Sequence, residues 1–93
     1  MNKEEKIHSA FNMIWDEIES AEKKFPGWPV DIIHAVAILQ EECGELVKAC
    51  LDWHYGRCVD KKELVKEAVQ TGAMVYRFLI SLDDYKPEGD KGE

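Results

Sequence analysis

The sequence has few cysteines and no long apolar run. Three cysteines among 93 residues are an odd number, which argues against a closed disulfide framework. No apolar stretch approaches the roughly 20 residues of a membrane span, so we expect no membrane association. Residues 1–6 are polar and lack the apolar segment of a signal peptide. These absences predict a cytoplasmic protein.

Positive charge is also scarce. Twelve Lys and Arg residues stand against 19 Asp and Glu residues, which gives a formal net charge of −7. Proteins that bind nucleic acids normally present a basic surface, so we expect no nucleic acid partner. A small phosphorylated substrate remains compatible with this charge, because bound cations offset it locally.

Apolar residues recur at three- and four-residue steps in three segments, and no segment alternates as a β-strand does. Asn2 with Glu5 forms a capping box for the first helix, and Asp60 with Glu63 a candidate box for the third. The Pro- and Gly-rich residues 25–29 separate the first two helices. The second helix is expected over residues 30–55 and the third from Asp60 to about residue 82.

Three helices with short connections predict an all-α antiparallel bundle. Residues 1–82 form its single domain, and the polar residues 83–93 are expected to be a disordered tail. A chain of this size buries a small core, and each helix carries apolar surface. We therefore expect a homodimer or homotetramer to complete the bundle.

Carboxylates are concentrated on two of the predicted helices, where they lie among apolar residues. The residues concerned are Glu41, Glu42 and Glu45 on the second helix and Glu63, Glu67 and Gln70 on the third. Side chains three or four positions apart share one face of a helix, and like charges at that spacing repel. A divalent cation would remove the repulsion, and oxygen ligands suit Mg²⁺ or Mn²⁺.

Two glycines lie inside the acidic helices, Gly44 and Gly72. An interior glycine costs about 1 kcal/mol relative to alanine. Their presence predicts that another helix or a ligand approaches closely at these positions.

The acids and the cysteines also have structural interpretations. Glu45 can pair with Lys48, and the acidic stripes can then be the solvated faces of a purely structural helical dimer. Cys50, His54 and Cys58 have a spacing that zinc ligands can adopt, but a structural zinc site needs a fourth ligand. Packing is the other interpretation of the cysteines, since free cysteine is often buried.

The segment Glu41-Glu42-x-x-Glu45-Leu46, followed by Glu67-x-x-Gln70, resembles the MazG-type all-α nucleoside triphosphate pyrophosphohydrolases. Their signature is ExxE, a variable spacer and then ExxD, and the resemblance covers residues 28–82. It implies that family's oligomeric all-α fold and hydrolysis of a nucleoside triphosphate, a dNTP or a modified NTP, to monophosphate and pyrophosphate. It makes Mg²⁺, or Mn²⁺, the cofactor. The implied metal ligands are Glu42, Glu45, Glu67 and Gln70.

Position 70 departs from the signature, because Gln70 stands where the family has Asp. Its carbonyl oxygen can ligate a metal but carries no negative charge. Glu41 or Glu63 could supply that charge. The alternative function is a weak or inactive relative that acts as a nucleotide-binding or helical interaction module.

The remaining roles follow from position. Glu41 is the carboxylate expected to accept a proton from the attacking water, and the expected catalytic residues are Glu41, Glu42, Glu45 and Glu67. Arg57 and Lys61 at the turn between the acidic helices are candidates to hold phosphates, although the turn can equally be solvated. Trp53 and His54 are candidates to stack a base, although Trp53 can belong to the core or a dimer interface.

Overall fold

The computed structural model describes residues 1–58 and 60–88. Within these residues the chain is all-helical and contains no β-strand. The helices are α1 (Lys3–Lys24), α2 (Ile32–His54) and α3 (Lys61–Ile80), followed by a short 3-10 helix at Leu82–Asp84. The predicted all-α class is confirmed, and none of these helices has the length and apolar character that crossing a membrane requires.

Side-chain caps set the helix starts. Asn2 and Glu5 form the predicted capping box, since Asn2 Oδ1 accepts from Glu5 N–H at 2.9 Å and Glu5 Oε1 accepts from Asn2 N–H at 3.0 Å. Asp60 caps α3 by accepting from the N–H of Lys62 at 2.8 Å. The predicted capping residue Asp60 is thus confirmed, but the predicted box with Glu63 is not formed, because Asp60 accepts from the second N–H of the helix instead of the third. This leaves the Glu63 carboxylate free to line a cavity.

The turn between α2 and α3 depends on Gly56, whose φ of +75° lies in the left-handed region. The N–H groups of Arg57 and Cys58 then both donate to the carbonyl of Asp52, at 2.8 and 3.1 Å. This tight connection makes α2 and α3 antiparallel neighbours.

α3 is the central element. α1 and α2 pack on α3 from two sides, and within the described residues they do not pack on each other. The core consists of buried Ala21, Ala73 and Met74, and partly buried residues of α1, α2 and their connection pack against it. The small buried side chains let the helices approach α3 closely.

The two interior glycines differ in their surroundings. A Cβ added at Gly72 would lie 2.8 Å from Ile14 Cδ1, so α1 makes the close approach that we predicted there. At Gly44 an added Cβ would meet nothing within 4 Å in the described part of the chain. The prediction of a close neighbour is thus confirmed at Gly72 and not met at Gly44 within one copy.

Much apolar surface stays uncovered in a single copy. Only four apolar side chains of the described residues are buried, whereas Ile33 is 71% exposed and Trp15 is 65% exposed. The radius of gyration is 15.8 Å, against about 12 Å for a compact domain of this length. One chain therefore forms an open helical layer rather than a closed bundle.

The segment after α3 returns to the connection between α1 and α2. Trp28 Nε1 donates to the Tyr85 hydroxyl at 2.8 Å, and that hydroxyl donates to the Phe78 carbonyl at 3.0 Å. The N–H of Lys86 donates to the Val30 carbonyl at 3.3 Å. Part of the predicted tail thus contacts the helices, while residues 89–93 lie outside the described residues.

Candidate active site

One stripe of side chains runs along α3 at alternating four- and three-residue steps. Its members are Glu63, Glu67, Gln70, Met74 and Arg77. A matching stripe on α2 consists of Ile38, Glu42, Glu45, Ala49 and Asp52. Because these steps keep side chains on one helical face and the two helices are antiparallel, the acidic part of one stripe lies beside that of the other.

Two cavities open along these stripes. The turn cavity, of about 130 Å³, lies near the α2–α3 turn and is lined by Glu45, Lys48, Ala49, Asp52, Cys58, Glu63 and Glu67. The groove cavity, of about 480 Å³, lies between α1 and α2 and is lined by Glu17, Ala21, Lys24, Phe25, Gly27, Trp28, Ile38, Glu41, Glu42, Gln70, Met74 and Arg77. The four predicted metal ligands divide between them, with Glu45 and Glu67 in the turn cavity and Glu42 and Gln70 in the groove cavity.

Glu42 is the electrostatic centre of this arrangement. Burial raises the pKa of its carboxyl group above the ordinary value, and repulsion by neighbouring carboxylates raises it further. The repelling groups, from the largest effect to the smallest, are Glu67, Glu45, Glu41 and Glu17. Carboxylates from all three helices therefore surround one half-buried glutamate.

Glu17 is a member of this group that the sequence analysis missed. It comes from α1 and lines the groove cavity together with Glu42. The signal was local: Glu17 lies between Ile14 and Ile18 on a helix whose apolar stripe faces α3. A carboxylate at the edge of an apolar stripe points toward neighbouring elements rather than toward bulk solvent.

These carboxylates repel one another but do not converge. Within residues 1–58 and 60–88, no three Asp, Glu, His or Cys side chains are placed so that they could hold a metal ion. The zinc interpretation of Cys50, His54 and Cys58 finds no support in that arrangement. For the acidic residues, a bound cation would attract the carboxylates and remove their mutual repulsion.

Thr71 fixes the two acidic helices beside Glu42. Its Oγ1 lies 2.8 Å from the Glu67 carbonyl oxygen and 3.1 Å from the Glu42 carbonyl oxygen. The hydroxyl can donate its single hydrogen to either carbonyl. The backbones that carry Glu42 and Glu67 are thus joined directly.

The predicted phosphate- and base-binding residues form a separate exposed cluster at the turn. Arg57 Nε donates to Asp52 Oδ1 at 2.9 Å, and Lys48 Nζ donates to Asp52 Oδ2 at 3.1 Å. These bonds, with Arg57 as the larger cause, hold the pKa of Asp52 below its ordinary value. The Lys61 ammonium lies 5.2 Å from the centre of the Trp53 ring.

This cluster includes His54, whose ring packs edge-on against Tyr55 at 4.8 Å. Among the described residues, the four predicted substrate-binding side chains all lie outside the linings of the two cavities. Those four are Arg57, Lys61, Trp53 and His54. Their role in substrate binding stays a prediction, and the structure places them at the rim rather than in the site.

Arg77 and Trp28 line the groove cavity instead. Arg77 is 5% exposed and is the only buried charged residue among those described. Its Nη2 donates to the carbonyls of Phe25 at 2.7 Å and Gly27 at 3.4 Å, and its guanidinium lies 5.0 Å from the centre of the Trp28 ring. The sequence signal was an arginine seven residues after Gln70, within an otherwise apolar run.

Comparison with known proteins gives this arrangement no family name. No family model matches the chain, and neither does a curated protein or a solved structure. The resemblance to the MazG-type signature therefore stays a prediction. The chemistry of the site has to follow from its own side chains.

Proposed function

We propose that the protein is a Mg²⁺-dependent nucleoside triphosphate pyrophosphohydrolase. It would hydrolyse a nucleoside triphosphate, a dNTP or a modified NTP, to the monophosphate and pyrophosphate. The observation that carries this proposal is the mutual repulsion of carboxylates from all three helices at Glu42, which lines the groove cavity while Glu45 and Glu67 line the turn cavity. A site with excess negative charge and two adjoining cavities suits a cation-bound polyphosphate with an organic group attached.

The two cavities suggest how the substrate lies. The turn cavity is small and lined by Glu45, Glu63 and Glu67, so it suits departing phosphates that are accompanied by a cation. The groove cavity is larger and contains Trp28 and Met74, so it suits the nucleoside. The bond to be cleaved then lies between them, beside Glu42 and Glu67.

The residues proposed to hold the cation are Glu42, Glu45, Glu67 and Gln70. When bound, Mg²⁺, or Mn²⁺, neutralises phosphate charge and lowers the pKa of water. Glu41 is exposed and lines the groove cavity, so its carboxylate can accept a proton from a water that attacks the α-phosphorus. A new P–O bond forms, the bond to the bridging oxygen breaks, and pyrophosphate leaves.

Gln70 supplies a carbonyl oxygen where the MazG-type signature has a carboxylate. Glu17 lines the same cavity as Gln70 and belongs to the group of carboxylates around Glu42. Glu41, one of the two substitutes that the sequence suggested, lines that cavity too, whereas Glu63 lines the turn cavity. We infer that Glu41 supplies the missing negative charge.

A second candidate function has its own support. The acids do not converge into a metal site in the described residues, and Gln70 weakens the charge of the set. A nucleotide-binding or helical interaction module without catalysis would need neither carboxylates grouped around one metal ion nor a fourth carboxylate.

We also propose that the chain works as a homodimer or homotetramer. The open layer leaves Ile33 and Trp15 largely exposed, and the radius of gyration exceeds that of a compact domain. A second copy is the simplest cover for apolar helix faces. A nucleoside triphosphate substrate also agrees with the cytoplasmic location expected from the sequence.

A substrate screen tests the function. Common and modified NTPs and dNTPs are incubated with Mg²⁺ and with Mn²⁺, and monophosphate, diphosphate, phosphate and pyrophosphate are resolved. We expect metal-dependent formation of monophosphate and pyrophosphate, which Glu67→Gln slows on the order of 100-fold. Glu22→Gln, a change at an exposed glutamate of α1, is the matched control and should retain turnover.

The negative outcomes separate the alternatives. Folded protein that turns over nothing, but whose thermal midpoint rises with a nucleotide, supports the binding module. A midpoint that responds neither to Mg²⁺ nor to any nucleotide supports the purely structural dimer.

A further inference from the structure

Arg77 carries a buried charge without an acidic partner. It is 5% exposed, and the ion pairs in the described part of the chain both belong to Asp52. Within the described residues its charge is met by the carbonyl oxygens of Phe25 and Gly27 and by the face of the Trp28 ring. A desolvated charge is costly unless it is well paired, so an acceptor-rich ligand in the adjoining cavity would complete its surroundings.

The guanidinium still has donors to offer. Both carbonyl bonds are made by Nη2, and no described residue accepts a hydrogen bond from Nε or Nη1. A guanidinium carries five N–H donors in a fixed fork, and Arg77 lines the groove cavity. The contacts with the loop carbonyls and with the Trp28 ring hold that fork in one place, so it is preorganised for a ligand.

The distance along α3 from Gln70 to Arg77 matches the distance from the phosphates of a nucleotide to its base. Arg77 follows Gln70 by seven residues on the same stripe, which is about 10 Å along the helix axis. With phosphates beside Glu42 and Gln70, a nucleotide extends through its sugar toward Arg77 and places its base there. This step rests on the proposed function.

We propose that the groove cavity selects guanine nucleotides, with Arg77 donating to O6 and N7 of the base and Glu17 accepting from N1–H and the 2-amino group. Guanine presents two adjacent acceptors on one edge, where adenine presents a donor beside N7 and pyrimidines have no N7. Glu17 lines the same cavity and supplies two acceptor oxygens. The side chains thus complement both polar edges of guanine.

Calorimetric titration of the full-length protein with Mg²⁺ and α,β-imido analogues of dGTP, dATP, dCTP and dTTP tests this selectivity. These probes resist cleavage at the scissile position, so binding is measured without turnover. We expect the guanine analogue to bind at least about tenfold more tightly than the others, as a bidentate arginine contact implies. The 7-deazaguanine analogue should lose about tenfold in the wild-type protein.

Substitutions show which side chains cause the guanine preference. Arg77→Gln should lose the part of the guanine preference that depends on N7, and the 7-deaza substitution should then cost nothing more, since both changes remove the same contact. Glu17→Gln should reduce the preference while the Arg77 contacts with the loop stay intact. Lys62→Gln, in the exposed first turn of α3, is the control and should retain it.

The outcomes are distinct. The inference is overturned if the wild-type protein binds the four analogues equally, or if it binds the 7-deaza analogue as tightly as its parent. The proposed function then still stands. A guanine preference that is undiminished in folded Arg77→Gln also overturns the inference. If no triphosphate analogue binds the wild-type protein, the proposed function itself fails, and the inference fails with it.

Discussion

The turn cavity and the groove cavity are built from the same two helices, yet they differ in what surrounds them. The turn cavity is closed by the α2–α3 connection and is lined mainly by charged residues that sequence spacing brings together. The groove cavity needs α1 and the loop after it, and it combines acids with Trp28 and Arg77. Local helix periodicity is enough to build the first, whereas the second depends on packing between distant segments.

The largest expected effect comes from an acid of the turn cavity. Glu67→Gln should lower kcat on the order of 100-fold, the size seen when one group that stabilises developing charge is removed. Steady-state kinetics with saturating Mg²⁺ measure it. Glu63→Gln changes the same cavity at the first turn of α3 and should cost much less. Equal losses in the two variants would mean that the cavity acts only through its total charge.

The next largest effect concerns the close contact between α1 and α3 at Gly72, beside the groove cavity. Gly72→Val should destabilise the fold by about 2 kcal/mol, because its branched side chain meets Ile14, whose Cδ1 lies 2.8 Å from the added Cβ. Chemical denaturation measures the change, and Ile14→Ala should restore part of it.

Gly44→Val is the matched control for Gly72→Val. A Cβ added at Gly44 meets nothing within 4 Å among the residues that the structure describes, so valine should change stability by less than about 0.5 kcal/mol. A loss at Gly44 that rivals the loss at Gly72, in protein shown to be oligomeric, would place a second copy against this face of α2.

A smaller effect separates the nucleoside end from the phosphate end. Trp28→Ala should raise KM about tenfold and change kcat less, since base–aromatic stacking contributes about 1–3 kcal/mol per base. Kinetics with the best substrate of the screen measure the split. Tyr85→Phe removes only the hydroxyl that holds Trp28 and should show a weaker form of the same change. A Trp28→Ala variant that lost kcat alone would contradict the assignment of the groove cavity to the nucleoside.

The smallest expected effect concerns the titration of Glu42. The folded state raises the pKa of this carboxyl group, so it binds the proton more tightly than the unfolded state does. The contribution of Glu42 to the free energy of unfolding is then largest below the ordinary glutamate pKa, and it falls as pH rises through the raised pKa. Without divalent cations, Glu42→Gln should raise Tm by about 2 °C at neutral pH, since like-charge repulsion costs a few tenths of a kcal/mol.

That gain in Tm should disappear in acid, where Glu42 is protonated in both the folded and the unfolded state. At neutral pH, Mg²⁺ should stabilise the wild type more than the variant. Thermal melts across pH, with and without Mg²⁺, measure both changes. Glu22→Gln should show neither. A gain that is constant with pH would indicate a packing effect rather than removal of a charge.

The sequence predicted what lies within a few residues along the chain. The capping box at Asn2, the turn at Gly56 and the shared faces of the acidic residues follow from spacing and residue type alone. The contacts of Arg77 with Phe25 and of Trp28 with Tyr85 join residues 52 and 57 positions apart. No period of three or four residues encodes such contacts, so the groove cavity required the structure.

Tyr85 shows the same limit. Its neighbours in the sequence are polar, and composition therefore placed Tyr85 in a tail. In the structure its hydroxyl accepts from Trp28 Nε1 and donates to the Phe78 carbonyl. A single aromatic residue beyond a helix can contribute a specific contact that average composition hides.

The central place of α3 also has a mechanical consequence. Because α1 and α2 each pack on α3 and, within the described residues, not on each other, both outer helices depend on α3 for their position. The width of the groove cavity between α1 and α2 is therefore set by their separate contacts with α3. Amide hydrogens of α3 should therefore exchange most slowly with solvent, and those of α1 should exchange sooner.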